Sequence, residues 1–321
     1  MSITTTNSAI LRKTATGAFY TSLAARAANL NIARFLSVDS TTAINKDYGW
    51  YGALPLPREW TGARNHVALK SYTDTITPKK WELTIDVDAE TMEDDQTGQL
   101  SNVAGALGVK AAEHMAKRFT EVLEAGVAGS IDTAYDGQFF FDGDHAESGT
   151  NQDNDFTSAA ATGTDPTASE METAVGDAIE AMTAFTDDQG NPHDPSNNGF
   201  VVMIPPSFLA AAHTVMGPNG SLGGAAALTA DATGVTGIFR GTEYVVNPYL
   251  AAADSIYILR PGMPGGVGPF IAVNRVPWRF DTFTPADSQQ ANENDVATYA
   301  ARARYEIGYG DWRAASVHIF S

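Results

Sequence analysis

A mixed α+β fold is what this sequence predicts, and three observations carry the prediction. Residues Trp81 to Asp88 alternate apolar and polar side chains, the pattern of a half-buried strand. Leu100, Val103, Leu107, Ala111, Met115, Phe119 and Val122 recur every three or four residues, the period of a long amphipathic helix. The remaining helix-like and strand-like runs do not follow the βαβ alternation of a doubly wound sheet. With 321 residues, 43% of them apolar, the chain can bury one large core or two moderate ones.

Residues 1–15 are polar and Thr-rich and read as a poorly ordered arm unless a neighbour pins them. From Thr16 to Leu36, an apolar stripe of Phe19, Leu23, Ala27, Leu30 and Ala33 predicts a short helix. Tyr48 to Arg64 then crowds large aromatics together with Pro55 and Pro57 and has no helical or strand period. The prolines remove backbone donors and favour an extended chain. Trp50, Tyr51 and Trp60 carry apolar area that needs a partner surface, so the segment reads as an arm docking on something else. Lys79 and Lys80 close a basic stretch, and Glu82 opens an acidic one that runs through Asp95. Such a charge dipole suits head-to-tail contact between identical copies, or equally a hairpin paired across its own strands.

Trp81, Leu83, Ile85 and Val87 form the apolar face of the predicted strand. The long helix, from about Gly98 to Gly126, would run about 40 Å. Gly126 and Gly129 are its expected stop, and Asp94 and Asp95 precede its positive end. Residues 146–168 read as a loop. Met171, Val175, Ile179 and Met182 mark a second amphipathic helix, Phe200 to Ile204 a buried strand closed by Pro205 and Pro206, and Ser207 to Met216 a third helix. Gly217 to Gly241 reads as a mobile loop. Strands are expected at 243–247, 255–259, 270–275, 299–307 and 313–319.

The net charge of −18 is unevenly placed. Between Arg118 and Arg240 there is no Lys or Arg, and that window holds 18 acidic residues, whereas acids and bases balance elsewhere. Nucleic-acid binding through the window is disfavoured, since phosphate attraction needs clustered cations. A solvated acidic surface is the plain reading, and a field that repels nucleic acid or attracts basic partners the sharper one. With no cysteine, neither a disulfide framework nor a thiolate metal site can form, which fits a reducing cytoplasm. The N-terminal residues lack the pattern of a secretory signal, and no run approaches the roughly 18 apolar residues of a spanning helix, so no membrane role is expected.

Residue patterns that carry chemistry are weak. Asp142-Gly-Asp144-His145 gathers two carboxylates and an imidazole, but without the spacing of a calcium loop it reads as a turn after an aromatic strand. No His-Glu-x-x-His or Gly-x-Ser-x-Gly is present, and His114 reads as a surface or interface residue. The glycine-rich runs at 217–224 and 262–268 lack the residues that cradle phosphate. No enzymatic activity, cofactor or metal is expected.

Four motifs, in order along the chain, carry a resemblance. They are Trp50…Leu54-Pro55…Arg58-Glu59-Trp60-x-Gly62-x-Arg64, Glu93-Asp94-Asp95, Tyr135-Asp136-Gly137…Phe141…Asp144-His145, and Arg302-Ala-Arg304-Tyr-Glu-Ile-Gly308-Tyr-Gly310-Asp-Trp312. Together they resemble the major head subunits of Mu-like bacteriophages, which have the Hong Kong 97-type capsid fold. The resemblance implies an N-terminal arm at 1–45, an extended loop at 46–90, a peripheral domain of 91–165 and 268–310 around a spine helix, and an axial domain of 166–267 and 311–321. It also implies a virion protein, assembled in the host cytoplasm as hexamers and pentamers into an icosahedral shell that encloses DNA without reading its sequence. Scaffold, protease, portal and decoration proteins would be separate chains. Trp50, Trp60, Arg64, Lys79, Lys80 and Trp81 are the expected inter-subunit contacts. Lys79 or Lys80 also invites a Lys–Asn cross-link, which needs a neutral lysine beside a buried carboxylate. An encapsulin-like cellular compartment shell is the alternative function.

Overall fold

The computed structural model describes residues 5–52, 56–57, 59, 62, 71–88, 99–146, 149–193, 199–217, 242–261, 267–283 and 288–321. Helix α1 (Thr5–Asn29) takes in most of the segment expected as a poorly ordered arm, because it has a partner within the chain. Ala15 and Phe19 are buried against the spine helix α2 (Gln99–Ala128). Two glycines on α2 permit the close approach. A Cβ at Gly108 would overlap the Phe19 carbonyl oxygen, and one at Gly105 would lie 3.0 Å from Ser22 Oγ. The spine runs through Gly126 and stops at Gly129, whose φ of +58° is the left-handed conformation that ends helices.

The first sheet has the order β1-β9-β10-β4, from β1 (Leu36–Ser40), β9 (Phe270–Phe283), β10 (Val296–Tyr309) and β4 (Lys79–Asp88). The antiparallel strands β9 and β10 are 14 residues each, longer than the sequence pattern indicates, because Phe280, Tyr299 and Ala301 continue the apolar face beneath α1 and α2. Leu83, Ile85 and Val87 of β4 join that layer as their alternation requires. Strand β4 pairs along its whole length with β10, so a hairpin paired across its own charges is not what forms. Glu82 stands opposite Arg302, and Lys80 opposite Arg304.

The second sheet has the order β5-β11-β8-β6-β7, from β5 (Asp155–Ser158), β11 (Ala315–Phe320), β8 (Ser255–Leu259), β6 (Val201–Ile204) and β7 (Glu243–Val246). Strands β6 and β8 are buried at every position, which is why they read as unbroken apolar runs. Helix α3 (Ala168–Ala184) covers this sheet with Met171, Ala174, Val175, Ala178, Ile179 and Met182. A capping box starts it: Thr167 Oγ1 accepts the Glu170 N–H, and the Glu170 carboxylate accepts the Thr167 N–H at 2.7 Å. Helix α4 (Leu209–Met216) packs beside α3.

One large core joins the second sheet, α3, the end of α2 (Phe119, Val122, Leu123) and the near ends of β9 and β10 (Phe270, Tyr309). A smaller one lies beneath α1. The spine helix and the β9–β10 ribbon therefore run from one core to the other. A separate two-stranded ladder, β2 (Lys46–Tyr51) with β3 (Ser71–Ile76), forms the base of the aromatic arm.

Candidate assembly surfaces

The arm's base is clamped to its own subunit by aromatic stacking. Trp50 and Tyr72 are cross-strand partners, and both rings lie on Tyr135, at centroid distances of 4.9 and 5.5 Å. Trp50 thus finds within its own chain part of the partner surface that its apolar area demands. Ile76 packs on Ile271 and Val273, in space that Gly308 leaves open, since a Cβ there would sit 2.5 Å from Ile76 Cδ1. The Tyr48 hydroxyl donates to Asp39 at 3.0 Å and Lys46 Nζ lies 3.2 Å from the same carboxylate, which ties the ladder to β1. Burial, and then the charge of Asp132, push the Asp74 carboxyl up to about 6. At neutral pH the base of the arm therefore holds two repelling carboxylates.

Strand β4 is anchored just as firmly. Trp81 Nε1 donates to the Tyr305 carbonyl at 3.0 Å, and its ring lies 4.5 Å from that of His114. Burial lowers the pKa of His114, and the neutral ring's Nδ1 lies 2.5 Å from the Tyr305 hydroxyl. Lys79 Nζ lies 3.0 Å from Glu306 Oε2, while Arg118 Nε donates to Glu306 Oε1 at 2.7 Å. Lys80, the next residue, is exposed.

The turn Asp142-Gly-Asp144-His145 is a packing element. His145 Nδ1 lies 2.6 Å from Asp136 Oδ2, and its ring is stacked on Trp312 at 4.0 Å. The Asn154 amide donates to the carbonyls of Phe140 and Ala315, fastening the turn to β11. Burial would raise the pKa of Asp311, but Arg313 and His193 outweigh it and hold the carboxyl far below the usual range. Among the described residues, no group of three or more His, Asp or Glu could hold a metal ion. Among them also, no helix is long and apolar enough to cross a membrane.

Of the expected contact residues, Trp60 and Arg64 lie outside the described residues. Trp50, Lys79 and Trp81 make the internal contacts above. Among the described residues the most exposed large apolar side chains are others: Tyr51 is 74% exposed, and Val38, Ile44 and Leu56 are each 67% exposed. Tyr51 and Leu56 were legible as part of the run from Tyr48 to Arg64, whereas Val38 and Ile44 lie outside it and were not singled out by the sequence.

Comparison with known proteins agrees with this architecture. The family model described as "Mu-like prophage major head subunit gpT" matches residues 9–171. The Mu-like prophage FluMu major head subunit of Haemophilus influenzae is 40% identical over 119 residues, 36% of this chain and 37% of that protein. The major capsid protein of Escherichia phage Mu is 32% identical over 108 residues, 34% of each chain. The match thus spans little more than a third of these relatives. Among solved structures, the procapsid of bacteriophage JBD30 aligns over 99% of this chain and 77% of its own, with a TM-score of 0.56 and 22% identity. The fold is the Hong Kong 97-type capsid fold that the sequence motifs led us to expect.

Proposed function

This chain belongs to the Mu-like prophage major head subunit gpT family, and from that premise we propose that it is the repeating subunit of a phage head. Copies associate as hexamers and pentamers into an icosahedral shell around phage DNA, assembled in the host cytoplasm and retained in the virion. The observation that carries this reading is the family match over residues 9–171, joined to a fold likeness spanning 99% of the chain. A cellular compartment shell would share the fold, but the relatives at 40% and 32% identity are head and capsid subunits and favour the phage reading.

The domain division is that of a shell subunit. Residues 1–45 form an N-terminal arm and 46–90 an extended loop. Residues 91–165 with 268–310 form a peripheral domain, and 166–267 with 311–321 an axial domain. Closed shells need interfaces that repeat at slightly different angles, and a long loop buries area on a neighbour without fixing the angle between cores. Trp60 anchors that loop by apolar burial and Arg64 by pairing with carboxylates, while Trp50, Lys79, Lys80 and Trp81 hold its base where a neighbour meets it. Scaffold, protease, portal and decoration functions fall to other chains.

The test is direct. Purified protein imaged in negative stain should form closed particles of uniform size. Trp60→Ala should raise the concentration needed for assembly at least about tenfold while circular dichroism stays unchanged. Only monodisperse monomer at every concentration would refute the shell, and loss of secondary structure in the variant would make Trp60 a core residue.

A further inference from the structure

Lys80, Glu82, Val276, Arg302 and Arg304 line a cleft of about 570 Å³ on the first sheet. Strand register fixes the face it opens on. Arg304 stands opposite Lys80 and Val276, and Arg302 opposite Glu82 and Arg279. Alternation puts the Lys80, Glu82, Arg302 and Arg304 side chains on the sheet face opposite the Trp81 ring, which packs on His114 of the spine helix, although Trp81 and Ala303 also border the cleft. Arg279 is already paired with Asp281 at 3.0 Å. Lys80, Arg302 and Arg304 have no ion pair among the described residues, and Arg304 Nε is buried without a hydrogen-bond partner. A carboxylate entering the cleft would supply that partner.

The chain carries a matching surface. The exposed side of α3 presents Glu172, Asp177 and Glu180, and the helix contains no Lys or Arg. Among the described residues these carboxylates are in no ion pair. Glu172 and Glu180 are about 12 Å apart along the helix axis, and Asp177 and Glu180 are neighbours about 5–6 Å apart. Arg302 and Arg304 are about 7 Å apart along their strand.

We propose that the cleft receives the acidic face of α3 from a second copy of this chain, with Arg302 and Arg304 gripping the carboxylates. The inference rests on the shell reading, to which it adds a polar, salt-sensitive contact distinct from the aromatic loop.

The experiment uses the full chain and measures self-association by sedimentation velocity at low and high salt. Arg302→Glu/Arg304→Glu makes both surfaces acidic, and Glu172→Lys/Asp177→Lys/Glu180→Lys makes both basic. Each variant alone should associate at least about tenfold more weakly than wild type. An equimolar mixture should regain wild-type association, because each surface then meets its opposite. Arg302→Gln/Arg304→Gln, which adds no charge, should show a smaller loss of the same sign. Variants that associate like wild type, or a mixture no stronger than its components, would overturn the proposal. So would a glutamate variant that loses only duplex-DNA binding, since the occupant would then be nucleic acid. Wild-type protein that associates through this swap-rescued contact without closing particles refutes the shell alone, and shells formed equally by all variants refute the cleft alone.

Discussion

The missing Cβ at Gly108 decides how near α1 lies to the spine helix. A side chain there would overlap the Phe19 carbonyl oxygen, which is fixed backbone, whereas one at Gly105 meets only the Ser22 hydroxyl at 3.0 Å. Gly108→Val should therefore cost about 1–3 kcal/mol of stability in urea unfolding, the range of overpacked sites. Gly105→Ala should cost clearly less, and equal losses at the two positions would refute the argument. Asp74 works through charge. Its folded pKa, about 6, lies above the ordinary 3.8, so the folded state holds the extra proton between those values. Stability from this group is accordingly greatest below about pH 4 and is lost as pH rises through 6. Asp155, raised to about 6 by burial and by Asp153 and Asp142, has the same sign. His114 and His318, both lowered by burial, have the opposite one and lose stability as pH falls below their ordinary 6.5. Asp74→Asn should raise the melting temperature at pH 7.5 and leave it nearly unchanged at pH 4. A uniform shift at both pH values would show that the carboxylate's ionisation is not the cause.

At the scale of elements, legibility followed locality. Helices α2 and α3 could be read because each buries a single face, so Phe119 and Val122, or Met171, Val175 and Ile179, recur at the helical period. The pattern of β4 was equally plain and β10 was expected over 299–307, but that the two would pair was not legible, since pairing across the length of the chain leaves no trace in local periodicity. Strands β1, β2, β3 and β5 escaped notice because they are short and only half-buried, and Tyr51, apolar on the exposed side, breaks the alternation of β2. The aromatic run announced a docking segment without saying that Tyr135 would receive Trp50. The basic cleft was hidden for a like reason, as Arg302 and Arg304 meet Lys80 only through that remote register. These contacts also rank the elements by stability. In hydrogen exchange followed by mass spectrometry, β6, β8 and β11 should be the slowest segments, being central and buried. The β2–β3 ladder, two strands held by few side chains, should exchange at least about tenfold faster. Equal protection would mean that the arm's base folds as one unit with the large core.

Over the whole molecule, charge and architecture divide in the same place. Around the second sheet, the described cations are Arg260 and Arg313, both buried, and Arg34, which pairs with Glu243 of β7 at 2.6 Å, so carboxylates outnumber cations on its described exposed surface. The remaining described Lys and Arg belong to the helices and strands of the first sheet and the arm's base. Repulsion between acidic surfaces reaches only about 8 Å at physiological ionic strength. The β9–β10 ribbon joins the two halves mechanically. Its strands are antiparallel and paired almost from end to end, with register shifts on both sides of Arg304. Tension applied at its opposite ends would load the ladder in shear, so that every rung resists at once, whereas peeling would break them singly. A pull along the ribbon would therefore meet the subunit in its least extensible direction.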